Sequence, residues 1–335
     1  MGERCPHCAE PIRTTDQFCE GCGAGLRVRR GGTVAAAGAD RPCPRCGQAA
    51  DPAAEYCPSC GLRRRDGTDR VEIDLGALAG VSDRGHVHVR NEDAMALGRR
   101  TAGQPAAGLA AVVCDGVSTV HSPELASRAA AEAALGVLLD ASNAAERHSR
   151  NAVAAAAQAV AALPAPSARS APSCTLVSAL VDRSGPGLPE ITVAWVGDSR
   201  AYWLAAAGAA EPARLLTTDH SWAAEMVAAG LLDDATAMTD TRAHAITHWL
   251  GADGVPEPGV VTLRPAGSGV LLLCSDGLWN YLPDAEGLAA VALPALEQGS
   301  GSLDAATALT AVALARGGRD NVTVVVIPIT VRSPS

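Results

Sequence analysis

The chain has 335 residues, enough for one sizeable core and a small appendage. Its net charge of −9, from 27 basic and 36 acidic residues, argues against nucleic acid as the main partner. No apolar leader follows Met1, no run is apolar enough to span a bilayer, and the 11 cysteines are spaced for metal rather than for disulfides, so a cytoplasmic chain without a membrane segment is expected.

The cysteines come first in chain order. Cys5-x2-Cys8-x10-Cys19-x2-Cys22 is repeated as Cys43-x2-Cys46-x10-Cys57-x2-Cys60, every member displaced by one constant offset. A CxxC turn aims two thiolates at one ion, and two such turns complete a tetrahedral four-sulfur site, so two Zn²⁺ ions are expected, with rubredoxin-like iron as the runner-up. So few residues between the outer cysteines cannot form a core, and metal must fold each unit. This places ribbons at 1–26 and 42–62, with linkers at 27–41 and 63–73. The pair resembles the double zinc ribbon, either a structural clip or a docking module for another protein. Arg27–Arg30 and Arg63–Arg65 read as solvated linker charge.

From 74 to 331 the pattern is globular, and with 3% aromatics its core must be built from Ala, Val and Leu. Ser122-Pro123-Glu124 opens a helix reaching Asp140, with Ser122 as its N-cap. A second, Ala-rich helix covers 144–163. Strands are expected near 174–181 and 190–197, with Asp198-Ser199 as a hairpin turn into Arg200–Leu204. A helix near 221–229 stops at Gly230, and another over 304–316 precedes a strand over 322–329. Hairpins mixed with paired helices predict an α+β layered fold.

Three dipeptides at strand ends carry the chemistry: Asp115-Gly116 after Ala111–Cys114, Asp276-Gly277 after Val270–Ser275, and Asp320-Asn321 before Val322–Ile327. A strand end holds a carboxylate rigidly, and glycine lets the backbone turn its own carbonyl toward a cation. Carboxylates gathered in one place repel one another unless hard cations such as Mg²⁺ or Mn²⁺ neutralise them.

Six motifs in order carry a resemblance: Ser82–Gly85 with Asn91–Ala94, Val113–Gly116, Gly197–Tyr202, Thr218–Ser221, Ser275–Trp279 and Arg319–Thr323. This set resembles the metal-dependent type 2C (PPM) Ser/Thr protein phosphatases over about 75–330. The resemblance implies a four-layer αββα sandwich with a two-metal centre at one end of its two sheets. It implies that Asp115 bridges two Mn²⁺ or Mg²⁺ ions, that Gly116 gives one of them its carbonyl, and that Asp276 and Asp320 complete the other. Asp93, with Glu92 as a further candidate, would act through water, and Asp198 is a weaker candidate for a third metal. Two such ions would activate a bridging water and neutralise the transferring phosphoryl group, so no protein nucleophile is needed. Cys114, Cys174 and Cys274 read as core.

The chain departs from the family where a phosphate-binding Arg is usual, because His88 stands there. Read as a strand, 84–90 would put Arg84, His88 and Arg90 on one face, making His88 or Arg90 the phosphate grip. The Asp-Gly pair is followed by Val117-Ser118-Thr119, without the leaving-group acid of some members; His121 is near in sequence. The expected partners are phosphoproteins and a Ser/Thr kinase whose work the enzyme reverses. The alternative is a pseudophosphatase that binds phosphoproteins, with the ribbons as docking modules.

Overall fold

The computed structural model describes residues 69–331 apart from 101–107, 121, 141–144, 166–169, 184–187, 207–208, 210 and 300, together with 3–4, 11–12, 21, 28–30, 34–35, 48 and 59 nearer the N-terminus. The eight ribbon cysteines and His121 lie outside the described residues.

Among the described residues the strands form three antiparallel sheets. The smallest pairs β1 (Glu3–Arg4) with β2 (Pro11–Ile12). The strands of the other two, in chain order, are β3 (Val28–Arg30), β4 (Val34–Ala35), β5 (Arg70–Asp74), β6 (Ala79–Asp83), β7 (Ala94–Arg100), β8 (Gly108–Cys114), β9 (Leu176–Asp182), β10 (Glu190–Val196), β11 (Arg200–Leu204), β12 (Arg214–Leu215), β13 (Gly259–Leu263), β14 (Gly269–Cys274) and β15 (Val322–Ile329). The helices are α1 (Pro123–Leu139), α2 (Ala145–Ala161), α3 (Trp222–Ala228), α4 (Asp234–Met238), α5 (Asp276–Trp279), α6 (Ala285–Gln298) and α7 (Ser302–Ala315). One sheet runs β13-β10-β9-β8-β7-β3 and the other β12-β11-β14-β15-β6-β5-β4.

The strands are apolar on both faces, and parity sorts each face to its layer. In β8, Ala110, Val112 and Cys114 pack under α1 and α2, whereas Leu109, Ala111 and Val113 face the other sheet. In β15, Val324 and Val326 lie under α6 and α7, whereas Val325, Ile327 and Ile329 meet the first sheet. The result is the helix–sheet–sheet–helix order expected from the resemblance. Ala-rich helix faces lie close on the sheets, with Ala126, Ala130 and Ala134 of α1 wholly buried.

Several expectations change. Asp198-Ser199 is not a hairpin turn: β10 and β11 belong to different sheets, and Gly197, at φ 99°, turns the chain from one to the other. A Cβ at Gly197 would meet Thr175 at 2.6 Å, so glycine is required there. Residues 84–90 are not a strand but a loop, entered through Gly85 at φ 73° and fastened by His86 N donating to Gly318 O at 2.7 Å. The linker expected at 27–41 contains β3 and β4, which add one strand to each large sheet: Val28↔Arg100 to Arg30↔Gly98 on β7, and Val34↔Glu72 and Ala35↔Val71 on β5. β5 likewise begins inside the second expected linker. Ser122 does precede α1, but in a left-handed conformation (φ 50°) and without a side-chain cap bond. α3 begins as expected, with Ser221 Oγ accepting from Ala224 N at 3.3 Å, and Gly230 ends it at φ 68°.

Candidate metal centre and adjoining cleft

Sheet register brings the carboxylates together. Asp93 immediately precedes β7 and Asp115 immediately follows β8, and the pairing Ala94↔Cys114 continues outward to set the two acids opposite each other. Directly opposed like charges destabilise a strand pair. Asp276 begins α5, one residue beyond β14, and Asp320 stands two residues before β15, the neighbour of β14. The carboxyls of Asp276 and Asp115 lie within hydrogen-bonding reach of each other. The four acids thus gather at one end of the two sheets.

Electrostatics reflect the crowding. Asp93 is buried, while Asp115, Asp198 and Asp276 each keep a partly open face although protein closes around them. Burial, then the charges of Asp276 and Asp320, push Asp93 up to about 7, against hydrogen bonds that favour its ionised form. Burial and the charge of Asp320 raise Asp276 to about 6. Burial, followed by Asp93, Asp276, Asp198 and Asp320, holds Asp115 well above the usual carboxylate range. Asp198 rises to about 8 through burial and the charges of Asp276 and Asp219.

A hydroxyl relay fixes Asp93. Ser275 Oγ donates to Asp93 Oδ2 at 2.8 Å, and Thr323 Oγ1 donates to the same oxygen at 2.7 Å. Ser82 Oγ, which accepts from Asn91 Nδ2 at 2.9 Å, stands 2.7 Å from Thr323 Oγ1 and can donate to it. Asp93 Oδ1 and Asp276 Oδ1, by contrast, are shielded from solvent and have no hydrogen-bond partner. Buried, unpartnered carboxylate oxygens among mutually repelling acids are the donors a hard divalent cation takes. Among the described residues no three His, Cys, Asp or Glu side chains close into a ready cage. What the structure offers is an open row of carboxylates, an arrangement Mg²⁺ accepts because it keeps several of its own waters. At Gly116 a Cβ would meet Glu92 O at 2.7 Å and Pro123 O at 2.8 Å, so only glycine leaves room there.

Asn321, beside Asp320, organises the 84–92 loop. Its Oδ1 accepts from Glu92 N at 2.7 Å, and its Nδ2 donates to Arg84 O at 2.8 Å and Arg90 O at 3.1 Å. The three basic candidates separate within that loop. His88 Nε2 stands 3.2 Å from Asp320 Oδ1. Arg90 points the other way, to Glu124 Oε1 at 3.0 Å, and is half exposed. Arg84 is wholly buried against Asp69, with Nε 3.2 Å from its Oδ2, and donates to His88 O; it shapes the loop and does not face the acids. The loop, not strand parity, decides this division.

The other motifs build the support. Arg200 grips Asp219 through both carboxylate oxygens, at 2.9 and 2.7 Å, and lies 3.8 Å over the Trp279 ring. Trp279 Nε1 donates to Asp198 O at 3.0 Å. Cys114, Cys174 and Cys274 are buried, reduced core residues. Leu250 is buried in the core, and its neighbour Trp249 donates through Nε1 to Asp253 Oδ1 at 3.2 Å. The sequence reading missed the roles of Ser82, Ser275 and Thr323; a hydroxyl at the inward position beside each acidic motif was the available signal.

Comparison with known proteins bears on this geometry. Residues 84–314 match the protein phosphatase 2C family, and residues 5–61 match the double zinc ribbon. A curated relative, the serine/threonine phosphatase Stp of Listeria innocua, is 32% identical over 154 residues, covering 46% of this chain and 55% of the relative. The chain thus spans about half the length of the curated relatives it matches. The Mycobacterium tuberculosis serine/threonine phosphatase PstP/Ppp superposes with a TM-score of 0.59 at 29% identity, covering 76% of this chain and 98% of that one. A structure of the PstP catalytic domain in complex with two manganese ions gives a TM-score of 0.56 at 30% identity, with coverage of 76% and 98%.

Proposed function

The chain belongs to the protein phosphatase 2C family, and from that premise we propose that it hydrolyses phosphoserine and phosphothreonine esters on proteins at a centre holding two Mn²⁺ or Mg²⁺ ions. The observation that carries this reading is the set of crowded carboxyls with raised pKa values and the unpartnered Oδ1 atoms of Asp93 and Asp276.

In this reading Asp115, Asp276, Asp320 and the Gly116 carbonyl hold the ions, Asp93 acts on them through water, and Asp198 adds a weaker third position. The ions supply charge neutralisation and an activated water. The chain's own residues do the positioning. Ser275 and Thr323 hold the Asp93 carboxylate in one orientation, the kind of outer-shell bond that tunes metal affinity. His88, beside Asp320, orients the substrate phosphate. Arg90, tied to Glu124 through one nitrogen, has the rest of its guanidinium to offer the same group.

The domain reading remains two zinc ribbons, at 1–26 and 42–62, and a phosphatase domain over 74–331. Two Zn²⁺ ions on Cys5, Cys8, Cys19, Cys22 and on Cys43, Cys46, Cys57, Cys60 belong to it. So does a cytoplasmic place opposite a Ser/Thr kinase, because thiolate zinc sites need reduced cysteines. Among the described residues no helix is long and apolar enough to cross a membrane. The test is turnover of a phosphothreonine peptide with added Mn²⁺ and its loss on chelation.

A further inference from the structure

A cleft of about 570 Å³ is lined by the loop that carries His88 and by the segment that follows Asp115-Gly116. One wall carries Val87, His88, Val89 and Arg90, and the facing wall carries Ser118 and Val120. Two polar links hold the lining in place, Arg90 to Glu124 at 3.0 Å and Ser118 Oγ donating to Glu92 Oε2 at 2.5 Å. Ser127 Oγ, from α1, also donates to Glu92 O at 2.5 Å. The cleft is therefore formed before anything enters it, which spares a ligand the cost of ordering its walls. His88 connects the cleft to the acids through Asp320.

The rim has a different character. Val87 is 63% exposed and Val89 61% exposed, although both lie in a loop pinned by Asn321. Along this loop His88 and Arg90 make polar contacts, each in its own direction, and the two valines are left outside. Glu92 puts a carboxylate in the lining, and Glu124 pairs with Arg90.

We propose that this cleft takes a side chain next to the phosphorylated residue of a peptide substrate and that Val87 and Val89 select an apolar neighbour over an acidic one. The inference rests on the phosphatase reading above. A phosphoresidue placed at the acids has its peptide passing His88, so an adjacent side chain meets the valine rim. An aliphatic neighbour removes apolar surface from water there, whereas an acidic neighbour leaves the valines uncovered and meets the Glu92 carboxylate in the lining.

The experiment uses the full chain with saturating Mn²⁺ and phosphothreonine peptides carrying Leu, Ala, Asp or Lys at each of the two positions on either side of the phosphoresidue. p-Nitrophenyl phosphate, which has no neighbour, is run alongside. At one of those positions Leu is expected to exceed Asp in kcat/KM by about tenfold, within the range that small apolar contacts give. In the double variant Val87→Ser, Val89→Ser that ratio falls to about twofold; being a ratio, it is insensitive to a general loss of activity. Equal kcat/KM across the peptides, or a preference unchanged in the double variant, alongside normal turnover of p-nitrophenyl phosphate, overturns this inference alone. No turnover of any substrate overturns the phosphatase reading and the inference together.

Discussion

His88 Nε2 stands 3.2 Å from Asp320 Oδ1, where the resemblance places a phosphate-binding Arg. Arg90 turns instead to Glu124. In the proposed function the loop therefore offers the phosphate two unequal basic partners. Replacing a group that hydrogen-bonds a charged ligand costs about 1.5–3 kcal/mol, roughly 10- to 100-fold. His88→Ala should raise KM for a phosphothreonine peptide by about tenfold or more, and Arg90→Ala by less than about threefold. Steady-state kinetics of both variants check the order; a larger effect from Arg90→Ala would reverse the assignment.

The raised carboxyls make the metal-free protein sensitive to pH in a definite direction. Asp276, Asp93 and Asp198 titrate at about 6, 7 and 8 when folded, and near 3.8 when unfolded. Between those limits the folded state binds more protons than the unfolded state, so stability falls as pH rises. Well below about pH 4 both states are protonated and the penalty is absent; it is complete only above about pH 8, past the highest of these folded values. A divalent cation replaces the protons. Thermal melts of the chelated protein should lose Tm steadily from pH 5 to 8, and Mn²⁺ should restore it most at the alkaline end. A Tm independent of pH without metal would contradict the crowding.

Thr323 is where a distant hydroxyl should affect metal binding. Thr323→Val keeps the shape but removes the donor to Asp93 Oδ2 and a partner of Ser82. Outer-shell losses of this kind typically cost about 10- to 100-fold in metal affinity or activity. The Mn²⁺ concentration for half-maximal turnover should rise by about that factor in Thr323→Val and return toward the original value in Thr323→Ser. An unchanged Mn²⁺ requirement would remove the hydroxyl relay from the account.

β3 and β4 give the segment between the ribbons a measurable task. Edge strands present unpaired backbone groups, and this segment covers an edge of each large sheet. Replacing residues 28–35 by an equally long Gly/Ser stretch should speed amide exchange in Gly98–Arg100 and in Val71–Glu72, while exchange in β8 and β9 stays slow. Unchanged exchange at both edges would return the segment to a plain linker.

Much of this was legible in the chain because local chemistry and tertiary position agree. Val322–Ile329 and Val270–Cys274 read as strands and are strands, and the acids beside them meet because each motif is tied to a strand end. The departures arise where local signals are degenerate. Gly197-Asp198-Ser199 has the residues of a hairpin turn, and only the packing of two sheets makes it a crossover. The 84–92 loop alternates like a strand, but Asn321, far away in sequence, fixes its path. β3 and β4 pair through backbone groups, which leave no side-chain period to read. Ser122 carries a capping residue's identity but not its bond, and nothing in the structure explains its left-handed conformation.

The central claim is that the Asp93–Asp115–Asp276–Asp320 cluster is a divalent-metal centre for phosphoester hydrolysis. Its most direct test is hydrolysis of a phosphothreonine peptide titrated with Mn²⁺, comparing the intact chain with Asp276→Asn. Turnover that rises with Mn²⁺ in the intact chain and falls by at least about a hundredfold in the variant is the predicted result. Turnover that persists in Asp276→Asn, or no turnover in an intact, folded chain at saturating Mn²⁺, would contradict it; the second outcome would point instead to a protein that binds phosphoproteins without cleaving them.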